Sequence, residues 1–116
     1  KNFPLSRHIN LDVSSLNRPS LNHLSGLKTD LAGLIGGPPC QGFSTMGKRN
    51  IDDLRNNLFV DFFRLAFEMR PAFFMAENVP GILNKQYSEF RKKAFSLVES
   101  EYTLLEPLKI NASDFG

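Results

Sequence analysis

The chain's single cysteine, Cys40, stands in the run Gly36-Gly37-Pro38-Pro39-Cys40-Gln41-Gly42-Phe43-Ser44. Small and cyclic neighbours let its sulfur approach a planar substrate closely, and as the thiolate it is a nucleophile. Nearby positive charge favours the thiolate, and Lys48 and Arg49 supply it if the segment folds back. Glu77 is the second reactive group, placed after the apolar run Phe73-Phe74-Met75-Ala76 and before Asn78-Val79. A partly buried carboxylate is biased toward its acid form, which can donate a proton or a hydrogen bond. Thiol and acid together fit acid-assisted nucleophilic addition to a ring. Each also has an ordinary structural explanation: a buried inert thiol, and a glutamate that caps a helix or pairs with a cation. Taken alone, the two readings of the cysteine are evenly balanced.

Both groups depend on the elements that deliver them. Thr29 to Ile35 reads as a buried strand bounded by turn residues, and Ala72 to Ala76 as a second one. Residues 36–57 show no sustained periodicity and carry Gly36, Gly37, Gly42 and Gly47. A long stretch of this kind inside a small domain points to function, such as a loop closing over substrate. Asn56 or Asn57 is placed to cap a helix from Leu58 to Met69, stopped by Arg70-Pro71. Its apolar residues nearly encircle it, so it must be buried on most sides. Strand, loop, helix, strand is a βαβ unit, expected to cross over right-handed. The thiol and the acid then lie at neighbouring strand ends, where open α/β sheets hold ligands. Elsewhere, the alternation of Ile9, Leu11 and Val13 suggests a short strand, and a helix follows Pro19-Ser20 and closes at Gly26. A further helix spans Glu89 to Glu101, and Thr103 to Ile110 reads as extended and bent at Pro107. The expected fold class is α/β, a partial doubly wound, Rossmann-like sheet.

At 116 residues, with 41% hydrophobic and 22% charged content, the chain is at most one ordinary globular domain. A net charge of +2 permits a polyanionic partner without arguing for one. Eleven phenylalanines and no tryptophan, mostly inside helix-like or strand-like runs, speak for core packing rather than base stacking. One cysteine excludes an internal disulfide, and His8 and His23 are too far apart and too poorly accompanied to suggest a metal site. No apolar run reaches membrane-spanning length. Gly47-Lys48 lacks the following Ser or Thr of a phosphate-binding P-loop.

The pairing of GGPPCQGFS with Glu77-Asn78-Val79 resembles the two catalytic signatures of the DNA cytosine-5 methyltransferases. Asp53-x-Arg55-x-x-Leu58-Phe59, Pro71-x-x-Phe74 and the closing Asn111-Ala112-Ser113-Asp114-Phe115-Gly116 are similar to the family's intervening and following segments, in order. Asp12-Val13 resembles the acidic-aliphatic pair that meets the cofactor's adenine. The resemblance implies a methyltransferase fold that uses S-adenosylmethionine, and a cytosine turned out of double-stranded DNA. It implies that Cys40 attacks C6 of that base while Glu77 contacts N3, and that C5 then takes the methyl group. It also implies that Gly37, Pro39 and Leu58 line the methyl donor, and that Ser44, Lys48 and Arg55 touch DNA phosphate. Asn78 is expected to hold the local backbone or Glu77 rather than to react.

Departures from the family pattern matter too. No glycine-rich cofactor loop precedes Asp12, and no arginine motif follows Gly116. The target-recognition region and the last helix of the cofactor site are absent as well. Residues 1–116 are therefore expected to be a fragment of the catalytic domain, inactive alone, with apolar edges inviting aggregation or a complementing polypeptide. The implied setting is a bacterial restriction-modification system, cytoplasmic, with a cognate restriction enzyme as a further partner and neither membrane nor metal involved. A tRNA cytosine-5 methyltransferase of the same fold and a non-catalytic remnant are the alternatives.

Overall fold

The computed structural model describes residues 6, 8–26, 30–39 and 57–116. Its regular elements are helix α1 (Arg18–Ser25), strand β1 (Gly33–Gly36), helix α2 (Asn57–Met69), strand β2 (Phe73–Ala76) and helix α3 (Ser88–Phe95), with short 3-10 turns between. β1 and β2 pair in parallel, with Gly33 opposite Phe73 and Gly36 opposite Ala76. With α2 as the connection between them, this is the βαβ unit read from the sequence.

Local chemistry explains most boundaries. Asn17 and Ser20 form a reciprocal capping box at the start of α1, with Ser20 N–H donating to Asn17 Oδ1 at 2.9 Å and Asn17 N–H to Ser20 Oγ at 3.0 Å. Gly26, at φ 68°, closes the helix. α2 ends at Arg70, whose φ of 49° turns the chain while its N–H still reaches Ala66 O at 3.0 Å. Pro71 follows and cannot extend the helical hydrogen bonds.

Alternation along the strands sorts the sheet into two faces. Leu34, Phe74 and Ala76 pack against the core, which is built on α2 from Phe59, Phe62, Phe63 and Ala66, with Ile82, Tyr87, Ala94 and Val98. Phe63 is its hub, with ring centroids 5.0 Å from Phe59, 5.6 Å from Phe74 and 5.4 Å from Phe95. Tyr102 closes the far side, edge-on to Phe74 and donating its hydroxyl to Pro71 O at 2.7 Å. Phe59, Phe62, Phe63, Phe74, Phe90 and Phe95 thus serve packing. The other face of the sheet presents Ile35, Phe73 and Met75, each more than half exposed.

Three expectations change. The segment around Ile9–Val13 is not a strand: Asp12 caps a 3-10 turn, Val13–Ser15, by accepting from Ser14 N–H, and such a side-chain bond competes with extended backbone. α3 stops at Phe95 rather than Glu101, because the chain tightens there into turns, with Leu97 N–H on Ala94 O and Val98 N–H on Phe95 O. These turns carry Val98 into the core. Residues 103–110 form no strand; among the described residues no neighbour pairs with them, and Leu105 and Leu108 are more than four-fifths exposed.

Candidate active site

β1 ends at Gly36, and Gly37-Pro38-Pro39 leads from it toward Cys40. β2 ends directly opposite, at Ala76, and its ladder runs one bond further, Glu77 N–H donating to Gly36 O at 2.9 Å. Asn78 then joins the two loops: its Nδ2 donates to Pro38 O at 3.2 Å, while its Oδ1 accepts from Val79 N–H at 2.8 Å. The Glu77 carboxylate lies directly over Gly37. A Cβ added at Gly37 would stand 3.1 Å from Glu77 Oε2, so glycine is what lets the acid settle against that backbone. Glu77 is exposed, not partly buried as expected from the sequence, because it sits past the end of the strand on the open side of the sheet.

The acid is therefore held beside the segment that delivers the thiol, and Asn78 fixes the junction from its own side chain. Cys40 itself lies outside the described residues, as do Ser44, Lys48 and Arg55. Pro39 is exposed at the end of the described loop, and Leu58 is half-buried in the first turn of α2.

Asp12 and Val13 occupy a second location, the 3-10 turn packed against α2. Asp12 Oδ1 accepts from Ser14 N–H at 2.9 Å and Ser14 Oγ–H at 2.7 Å. The Ser14 hydroxyl first, and its amide second, hold the Asp12 carboxyl below its ordinary range. Val13 is exposed beside it. An ionised acceptor next to a bare aliphatic side chain suits a purine with an exocyclic amine.

Arg64 links this turn to α2 and was not foreseen. Its Nη1 donates to Leu16 O at 2.9 Å and to Glu68 at 2.9 Å, and its Nε to Asp61 at 3.0 Å. Its Nη2 reaches Val13 O at 3.2 Å and Ser14 O at 3.4 Å. Desolvation works against its charge, but Glu68 and Asp61 outweigh that and raise its pKa, so it stays a cation. A sequence signal existed: Asp61-x-x-Arg64-x-x-x-Glu68 is a cation flanked by acids on one face of an otherwise apolar helix.

The family profile described as C-5 cytosine-specific DNA methylase matches residues 1–116. The chain belongs to that family. Within it, the chain is 34% identical to the Type II methyltransferase M.XorII of Xanthomonas oryzae pv. oryzae, over 99% of its own length and 28% of the relative's. It is 55% identical to the Type II methyltransferase M.AgeI of Thalassovita gelatinovora, over 72% of this chain and 19% of that one. The fold superposes with TM-score 0.84 and 48% identity on an E. coli crystal structure described as a DNA modification methyltransferase encoded within a prophage, covering 98% of this chain and 31% of that one. The chain thus spans about a third or less of these family members. Among the described residues, no group of three or more His, Cys, Asp or Glu is arranged to hold a metal ion, and no helix is long and apolar enough to cross a membrane.

Proposed function

We propose that this chain supplies the nucleophile, the acid and part of the cofactor site of an enzyme that methylates C5 of cytosine in double-stranded DNA. The observation that carries this reading is the junction of the Glu77 loop with the Gly37-Pro38 loop, formed by Glu77 N–H on Gly36 O and Asn78 Nδ2 on Pro38 O, in a chain of this family. A cytosine turned out of the duplex lies against that junction. The Cys40 thiolate adds to C6, Glu77 as the acid donates to N3, and the released electron density makes C5 nucleophilic. The chemistry that S-adenosylmethionine supplies when bound is an electrophilic methyl group, which C5 accepts. Loss of the C5 proton to solvent and expulsion of the thiolate, with the N3 proton returned to Glu77, restore both side chains. A base that meets the exposed Glu77 with its N3 edge removes the carboxyl from water, so burial accompanies substrate binding rather than preceding it.

Asp12 and Val13 would face the adenine of the cofactor, with Gly37, Pro39 and Leu58 beside the methyl-bearing end. Ser44, Lys48 and Arg55 would contact phosphate, which positions DNA without reading its sequence. We further propose that residues 1–116 are part of a catalytic domain whose glycine-rich cofactor loop, arginine motif and target-recognition region complete the enzyme. A restriction-modification system, in a bacterial cytoplasm, is its proposed setting. The relatives named above carry DNA or Type II methyltransferase names, and no observation favours the tRNA alternative.

Duplex DNA containing 5-fluorocytosine tests the mechanism, because fluorine cannot leave C5 as the proton does. The complete enzyme carrying these residues is expected to form a covalent adduct that Cys40→Ser abolishes. An adduct that survives Cys40→Ser, or none in the unaltered enzyme, overturns the assignment.

A further inference from the structure

The turn that carries Asp12 and Val13 contributes no buried side chain, and Leu11 beside it is half-exposed. Apolar packing therefore does little to fix it. What holds it is Arg64, which reaches three carbonyls of one short stretch, Val13, Ser14 and Leu16, from a helix about fifty residues further along the chain. A guanidinium has five N–H donors in a rigid planar fork. Nε goes to Asp61, Nη1 to Leu16 O and Glu68, and Nη2 to Val13 O and Ser14 O, so each arm of the fork has its own acceptors. A surface ion pair within one helix contributes little and needs no such reach. Here Asp61 and Glu68 grip the guanidinium from both sides while its other donors face the turn.

We propose that Arg64 is a positioning residue for the methyl-donor site: it locks the Val13–Ser15 turn onto α2 and so presents Asp12 and Val13 to the adenine. It touches neither cofactor nor base. Because α2 also carries Leu58 in its first turn, the clamp ties the two ends of the cofactor contact to one rigid element. This inference rests on the assignment of Asp12 and Val13 to the adenine, so the experiment separates the two.

In the complete enzyme, three variants are compared: Asp12→Ala, Arg64→Gln and Arg64→Lys. Arg64→Lys keeps a cation between Asp61 and Glu68, so the helix survives, but it lacks the fork. Two readouts need no turnover: the Kd for S-adenosylhomocysteine by calorimetry, and amide hydrogen exchange across residues 13–16 without cofactor. A third is kcat at saturating S-adenosylmethionine. Both Arg64 variants are expected to raise the Kd about tenfold, the equivalent of one charge-assisted hydrogen bond lost. Exchange at residues 13–16 is expected to quicken while the core amides of α2 and kcat stay near the starting values. Faster exchange everywhere, or a kcat that falls as far as binding, marks a merely structural arginine and overturns the proposal. If Asp12→Ala weakens cofactor binding and neither Arg64 variant does, the clamp fails while the adenine assignment stands. If Asp12→Ala leaves binding intact, the adenine assignment fails and the clamp's proposed role falls with it.

Discussion

Glu77 and Asn78 are adjacent in sequence but differ in what their side chains meet, and the separate roles proposed for them can be told apart by measurement. Glu77 lies over Gly37 with its carboxylate free of any side-chain crowding from that residue, whereas Asn78 spends its amide on Pro38 O and Val79 N–H. Glu77→Gln keeps the shape and removes the acid. In the complete enzyme it is expected to lower kcat by about 10²–10⁴, the range of a positioned general acid. Asn78→Asp keeps an acceptor for Val79 N–H but loses the donor to Pro38, loosening the junction without touching the base. Its loss in kcat, from the same methyl-transfer assay, is expected to be smaller than that of Glu77→Gln. The reverse order would mean that the junction, not the acid, limits the chemistry.

Among the elements, Tyr102 shows how the return from α3 is fastened to the sheet. Its hydroxyl donates to Pro71 O at 2.7 Å, just before β2. Desolvation first, and Glu101 second, raise its pKa above the ordinary 10.0, with Arg70 opposing. A phenol whose folded pKa is raised adds stability that is whole below pH 10.0 and is lost as pH climbs through the folded value. Tyr102→Phe is expected to cost about 1 kcal/mol at neutral pH. It should also flatten the decline in melting temperature above pH 10.0, seen by thermal denaturation of variant and parent side by side. An identical decline in both would remove Tyr102 from the account. Sequence periodicity found the elements that this bond connects. The encircling apolar residues of Leu58–Met69 and the stop at Arg70-Pro71 match α2 to within a residue. It failed where short-range hydrogen bonds, from a side chain or from the backbone itself, tighten the chain into turns. Asp12 draws Ser14 into a turn in place of a strand, and the tight bonds after Phe95 end α3 early, neither of which has a period. Arg64 escaped for another reason. Its partners Val13, Ser14 and Leu16 lie across the fold, and only the acids of its own helix were visible as spacing.

At the scale of the molecule, the sheet has two strands and one covered face among the described residues. Ile35, Phe73 and Met75 stand exposed on the other, and Leu105 and Leu108 add apolar surface beyond it. Doubly wound sheets cover both faces, and this chain spans about a third or less of the family members it matches. Expressed by itself, the 116-residue chain is therefore expected to self-associate. Ile35→Thr with Met75→Lys should shift it toward monomer in sedimentation runs across a concentration series; an unchanged distribution would exonerate this face. The register of β1 on β2 has a last consequence, for how such enzymes can vary over time. Gly36 and Ala76 are rungs of one ladder, and Glu77 hangs from the next. One residue gained or lost within β2 would slide the acid about 3.3 Å along the sheet and turn it to the opposite face, and the same change within β1 would displace the loop after Gly36 instead. Lineages can thus exchange letters at exposed strand positions such as Ile35, Phe73 and Met75, but they cannot change the count.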